Sequence, residues 1–322
     1  MTRSTFAWLA GAAFFTATAG TAAIGQGNAE SHIAAAKAAA GSDHTALFEA
    51  TCERAPGPPP QRTDPRPVPE RSTWHYDPVK VFDNLYYVGE KEYSAWALVT
   101  SQGIIVIDTI WAYSVEDEIV NGLKKLGFDP ANIKYAIVSH AHIDHIGGAK
   151  YLQEKFGTRI VMSAADWDFA ERTTRFPQEI KPRRDVVVGD GEKITLGDTT
   201  VEIYLTPGHT PGTISVIFPV KDGARTHKVA TWGGTSFNFE LKPENFQIYI
   251  DSAVRFRPVV ARSGADILLS NHTIFDGSRT KLPAMATRKV GEPHPFVVGN
   301  DSIQRYVKVA EECGRAQLLR LK

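Results

Sequence analysis

Ser139-His140-Ala141-His142-Ile143-Asp144-His145-Ile146-Gly147-Gly148 follows directly on the apolar run Tyr135 to Val138. Three histidines and an aspartate fall within six residues, in a chain with ten histidines altogether. Metal chemistry explains such crowding, because neutral imidazole and carboxylate are zinc's usual ligands where thiolate is absent. A loop leaving a strand can aim His140 and His142 at one ion while Asp144 and His145 turn toward a neighbouring one. Gly147 and Gly148 then let the backbone pass close by on its way into the next helix. Four ligands cannot complete two tetrahedral sites that each keep an open position, so further ligands must come from elsewhere in the chain.

Two later histidines stand where such ligands are expected, each directly after a predicted strand. His209 lies in Leu205-Thr206-Pro207-Gly208-His209-Thr210-Pro211-Gly212, where two prolines and two glycines fix a tight turn around the imidazole. His272 closes Leu268-Leu269-Ser270-Asn271-His272. His32, His44, His75, His227 and His294 have no motif around them and read as ordinary structural histidines. Trp96, Trp111 and Trp167 read as core, with a pocket lining as the alternative.

Around these residues strands alternate with helices, which predicts an α/β core whose chemistry sits on loops at strand ends. Strands are expected at Leu85 to Val88, Trp96 to Val99, Ile104 to Ile107, Tyr135 to Val138 and Arg159 to Met162. The second half repeats the rhythm at Lys193 to Leu196, Val201 to Leu205, Ile214 to Phe218, Lys228 to Trp232 and Asp266 to Leu269. Helices are expected at Ser31 to Ala50, Val115 to Leu126, Gly148 to Phe156, Phe246 to Ala261 and Ser302 to Leu319. Seven prolines between Ala55 and Glu70 predict a linker or an extended arm.

The chain has 322 residues, with 43% hydrophobic and 22% charged, enough to bury a sizeable core. Lys and Arg number 36, as do Asp and Glu, so no net field draws in nucleic acid or an anionic membrane. Two cysteines, Cys52 and Cys313, exclude a thiolate-rich zinc site, and any metal must rest on histidine and carboxylate. Arg3 followed by an uncharged stretch from Phe6 to Ile24, with small residues at Ala17-Thr18-Ala19, predicts a secretory signal peptide over 1–25. Export to an oxidising compartment lets the two cysteines pair, tying the N-terminal arm to the C-terminal helix. Two separate buried thiols are the other reading.

On the HxHxDH loop and the His209 turn, the chain from about Val79 to about Gly277 resembles the metallo-β-lactamase superfamily. The resemblance implies a four-layer αββα sandwich, two sheets flanked by helices, with a dinuclear zinc site at one edge. It implies that His140, His142 and His209 hold the first zinc, and that Asp144, His145 and His272 hold the second. Asp108, ending Ile104-Ile105-Val106-Ile107, matches a position that hydrogen-bonds a ligand from behind. From Val229 to Ser236 the chain offers neither the bridging aspartate of glyoxalase II and the acyl-homoserine lactonases nor the cysteine of the first two lactamase subclasses. What remains is similar to the third subclass of metallo-β-lactamases. Ser215, Thr235 and Ser236 are then the candidates for holding a substrate, although Val216 stands where that subclass usually has tryptophan.

The implied organisation is a signal peptide over 1–25, an N-terminal arm with a proline-rich linker over 26–78, and a catalytic domain with a C-terminal helix over 79–322. The implied function is that of a periplasmic or secreted hydrolase, a source of antibiotic resistance. It opens the β-lactam amide bond through a zinc-bound hydroxide, with Asp144 as ligand and orienter of the nucleophile. A small molecule is the expected partner, with no nucleic acid and no membrane once the signal is cleaved. Two other readings stay open: the same site acting on another ester, lactone or amide, and a zinc-binding protein without activity.

Overall fold

The computed structural model describes residues 28–54, 67–175, 177–289 and 291–321, together with Met1. The expected signal peptide, and residues 55–66 of the expected linker, lie outside the described residues. The strands are β1 (Val79–Lys80), β2 (Leu85–Tyr87), β3 (Trp96–Thr100), β4 (Gly103–Ile107), β5 (Ile133–Ile137), β6 (Arg159–Ser163), β7 (Val186–Val188), β8 (Lys193–Leu196), β9 (Thr199–Leu205), β10 (Ile214–Asp222), β11 (Arg225–Thr231) and β12 (Ile267–Leu269). The helices are α1 (Ala29–Ala40), α2 (Thr45–Phe48), α3 (Arg71–Trp74), α4 (Asn121–Lys125), α5 (Ile143–Ile146), α6 (Ala149–Phe156), α7 (Ala164–Arg172), α8 (Pro243–Ser263), α9 (Ser278–Thr287) and α10 (Asn300–Arg320).

β1 to β7 form one sheet in sequence order, antiparallel up to β4 and parallel from β4 to β7. The second sheet runs β12-β11-β10-β9-β8, with only β11 and β12 parallel. Period-two alternation explains how the sheets stack. On β4, Ile105 and Ile107 face the second sheet, where they meet Val216, Phe218, Val229 and Leu269 in one core. Ile104 and Val106 point the other way, into a core shared with Ile119, Leu123, Leu152 and Trp167 of the helical layer. Each aliphatic side chain so buried contributes about 1.5–3 kcal/mol. On the far face of the second sheet, Ile217, Ala230 and Trp232 pack under Tyr249, Phe256, Tyr306 and Val307 of α8 and α10. The layers are therefore helix, sheet, sheet, helix, the αββα sandwich.

The N-terminal arm is part of this outer layer. Ala36, Ala39, Ala40, Leu47 and Phe48 are buried with α8 and α10 in the third core, and Cys52 is disulfide-bonded to Cys313 of α10. The expected helix from Ser31 to Ala50 is two pieces, because Gly41 caps α1 at φ 54° and turns the chain. The helix expected at Val115 to Leu126 begins as a wide turn, Glu116–Val120, before α4. α7, α9 and β7 were not expected; β7 has three residues, too few for a periodic pattern. Trp96, Trp111 and Trp167 are buried, as core residues.

The five histidines without a motif have structural partners. His32 meets Glu312, His75 meets Glu118, His227 meets Asp266, and His294 meets the carbonyl of Val81. His44 donates from Nε2 to the carbonyl of Ser302 at 2.9 Å and lies edge-on to Tyr306. Burial lowers its pKa to about 4. A histidine held below its unfolded value binds fewer protons in the fold, so its contribution is complete above about pH 6.5 and is lost as pH falls toward 4. Across that window the loss approaches about 3 kcal/mol. Urea unfolding of wild type and His44→Gln, each without metal at pH 7 and 4.5, should show the steeper decline in wild type. Parallel declines would reject this role for His44.

Candidate metal centre

The short run Val138-Ser139 carries the chain out of β5, and the HxHxDH segment turns at once into α5, a single helical turn where a loop was expected. His140 and His142 precede that turn, whereas Asp144 and His145 lie within it. The β9–β10 turn delivers His209, and His272 follows β12 and bridges to Tyr93. The two sheets are tied here, since the Ile214 amide donates to the carbonyl of Ser139 at 2.8 Å.

Two trios result. Ligand atoms of His140, His142 and His209 lie within 4.8 Å of one another, as do those of Asp144, His145 and His272. The trios adjoin, with the rings of His140 and His145 4.3 Å apart. His140, His145 and His209 are buried, while His142, Asp144 and His272 are partly exposed and form the open side.

Each trio is oriented from behind. His140 donates from Nδ1 to the carbonyl of Gly233 at 2.8 Å, and His209 from Nδ1 to that of Ser236 at 2.5 Å. Those bonds leave the Nε2 lone pairs facing the cluster. Asp108 sits 3.1 Å from Nδ1 of His145 and accepts from the Ser139 amide, the Ser139 hydroxyl and the Asn271 amide group. Asp108 and Ile110 both have positive φ, at 59° and 50°, an uncommon conformation that is a true outlier for β-branched isoleucine. The strained loop is held by the carbonyl of His145, which accepts from both the amide and the hydroxyl of Thr109. Behind it, any Cβ on Gly147 or Gly148 would come within 2.5 Å of a backbone oxygen, so both positions need glycine.

The donor set fits two cations. Nε2 of His140 and Nε2 of His145 are buried without a hydrogen-bond partner, a costly arrangement unless an ion takes the lone pair. Burial drives the pKa of His140 and His142 well below the ordinary value and that of His209 and His272 to about 4, which keeps these imidazoles neutral. For His145, burial is outweighed by the carboxylates of Asp144 and Asp108, and its pKa rises. Asp144 is held well below the carboxylate range despite burial, by His145, His272 and His142. Three imidazoles beside two imidazoles and a carboxylate is a zinc-type donor set with room for further ligands.

The residues expected to hold substrate are differently placed. Ser215 is fully buried, and its hydroxyl is shared between Thr206 and the Gly233 amide. Thr235 is also buried, with its hydroxyl toward Tyr306 and its carbonyl accepting from Tyr249. Both side chains are buried and hydrogen-bonded within the protein. Ser236 serves His209 through its carbonyl.

Asp166 is an organising residue that the sequence reading does not single out. Asp166, at 1% exposure, accepts from the Ala141 amide, the Thr210 hydroxyl and the Gly212 amide, each at 2.8 Å, joining the HxH segment to the His209 turn. Burial lifts its pKa to about 6 in spite of these donors. Its sequence signal is Ser163-Ala164-Ala165-Asp166, where the serine caps α7 and accepts from the Asp166 amide.

The family model for the metallo-β-lactamase superfamily matches residues 88–226. A hydroxyacylglutathione hydrolase of Acidiphilium cryptum is 32% identical over 195 residues, 58% of this chain and 72% of that one. The chain belongs to the metallo-β-lactamase superfamily. An N-acyl homoserine lactonase of a Bacillus species is 32% identical over 128 residues, 39% of this chain, which spans about half (48%) of that relative's length. Among solved structures, a subclass B3 metallo-β-lactamase of Bradyrhizobium japonicum matches with a TM-score of 0.63 and 28% identity, covering 74% of this chain and 92% of that one. A metallo-β-lactamase of Cronobacter sakazakii with an HARLDQ motif matches at TM-score 0.66 and 28% identity, over 78% and 98% respectively. The fold is that of the metallo-β-lactamases, a subclass B3 enzyme among them.

Proposed function

We propose that this protein is a dizinc hydrolase that opens the amide bond of β-lactams. The observation that carries the reading is the pair of adjoining trios with buried, unpartnered imidazole nitrogens. In this reading His140, His142 and His209 hold one zinc, and Asp144, His145 and His272 the other. Bound zinc supplies Lewis acidity and lowers the pKa of water toward about 7. Gly233 and Ser236 fix the rings of His140 and His209 through their carbonyls, Asp108 steadies His145, and Asp144 orients the attacking water from the open side.

Likeness to two metallo-β-lactamases, one of subclass B3, over more than nine-tenths of their length supports the β-lactam as substrate. So does the stretch from Thr231 to Ser236, which meets the site with backbone carbonyls and brings no carboxylate between the trios. The lactonase and hydroxyacylglutathione hydrolase relatives favour the second reading, a hydrolase of another ester, lactone or amide with the same ligands. We also propose a secreted or periplasmic location. The Cys52–Cys313 disulfide supports an oxidising compartment, and no helix among the described residues is long and apolar enough to cross a membrane.

Hydrolysis of a chromogenic cephalosporin by the zinc-loaded protein should be rapid, abolished by chelation and restored by zinc. A folded protein holding two metals that leaves the cephalosporin intact but cleaves an acyl-homoserine lactone would move the assignment to the second reading.

A further inference from the structure

We infer that Tyr249, on α8, is a positioning residue for the first trio, acting on His209 through the two chain segments that bracket it. The inference rests on the ligand reading proposed above. Tyr249 is fully buried and touches no residue of either trio through a hydrogen bond. Its hydroxyl donates to the carbonyl of Thr235 at 2.9 Å and accepts from the indole of Trp232 at 3.0 Å. Thr235 is the neighbour of Ser236, whose carbonyl orients His209, and lies two residues beyond Gly233, whose carbonyl orients His140.

The backbone of Tyr249 meets the other segment. A Cβ on Gly208, which has φ 139°, would lie 2.6 Å from the Cα of Tyr249, so the turn before His209 rests directly on this residue. One turn along α8, the hydroxyl of Ser252 donates to the carbonyl of Pro207 at 2.7 Å. Gly234 closes the arrangement from above, since its Cβ would stand 2.3 Å from that of His209. The His209 ring is thus clamped between a turn resting on Tyr249 and a turn hydrogen-bonded by Tyr249. Among the described residues nothing comparable joins α8 to His145 or His272, whose supports are Asp108 and the Tyr93 bridge.

Removing the hydroxyl should therefore loosen one trio and spare the other. Partners that orient a metal's ligands change its affinity by about 10–100-fold when lost, and Tyr249 stands one bond further out. Tyr249→Phe should weaken cobalt(II) binding at the first trio by roughly tenfold and leave the second within about twofold. The experiment is a cobalt(II) titration followed by visible absorption, with the bands assigned from His209→Ala and His272→Ala. Tyr306→Phe is the comparison, since it removes a buried hydroxyl from the same core that meets only the side chain of Thr235, at 3.4 Å, and otherwise Ser270 on the side of the second trio. Selective weakening in Tyr249→Phe but not Tyr306→Phe supports the positioning role. Equal effects in the two variants, no effect, or joint loss of both sites in Tyr249→Phe overturns it. Wild-type protein that binds no cobalt(II) would overturn the ligand reading itself, a separate and distinguishable failure.

Discussion

Asp144→Ala should lower turnover by roughly 10²–10⁴-fold while leaving the fold intact. Asp144 contributes the single carboxylate among the six ligand residues, and its Oδ2 stands 3.5 Å from Nε2 of His145 and 3.8 Å from Nε2 of His272. Without it the second trio offers two imidazoles and no negative charge, too weak a set to keep a dication at working concentrations. The open side of the centre is formed by His142, Asp144 and His272, so the lost group is one of three on the side open to solvent. Folding should change little, because no backbone amide elsewhere depends on this side chain among the described hydrogen bonds. Asp144→Asn, which keeps the shape and removes the charge, should show most of the same loss. Metal content and turnover measured together decide the matter, and full activity with both metals retained in Asp144→Ala would refute the assignment.

Asp166→Ala should cost about 3–5 kcal/mol of stability, the range for breaking a buried network and leaving its donors unpaired. Three donors converge on that carboxylate, from Ala141, Thr210 and Gly212, and the hydroxyl of Thr210 alone has another partner, Thr213. Ala141 stands between His140 and His142, while Thr210 follows His209. The same substitution should therefore weaken the first trio as well as the fold. Asp166→Asn keeps one acceptor but turns an amide N–H₂ toward a backbone N–H, and should recover less than half of the loss. Urea unfolding with metal analysis of the folded fraction tests both effects. A variant within 1 kcal/mol of wild type and with unchanged metal content would show that Asp166 is not the tie.

Much of the site was legible because its chemistry is local. Four of the six candidate ligand residues lie within six positions, and crowded histidines have few explanations besides a metal. His209 and His272 needed only their places at predicted strand ends. Asp166, Asn271 and Tyr249 were not legible, since each is a single polar residue whose partners lie 25, 163 and 14 positions away in the chain. The burial of Ser215 and Thr235 was not legible for a related reason: a hydroxyl on a strand or turn looks the same in sequence whether it faces the cleft or the packed interior. Period two decides that face, and around Gly233 and Gly234 the period is interrupted.

By itself, then, the sequence determined the candidate donor residues, the alternation of strands and helices, and the two cysteines able to pair. Those properties follow from residue type and short-range spacing, which survive without knowledge of the fold. The tertiary structure decided how closely the two trios adjoin, that Cys52 bonds Cys313 rather than staying a separate thiol, and that carbonyls of Gly233 and Ser236 aim two imidazoles. Contacts of this kind depend on how two sheets stack and on where the outer helices press, and burial makes each of them count because an unpaired polar group has no water to turn to.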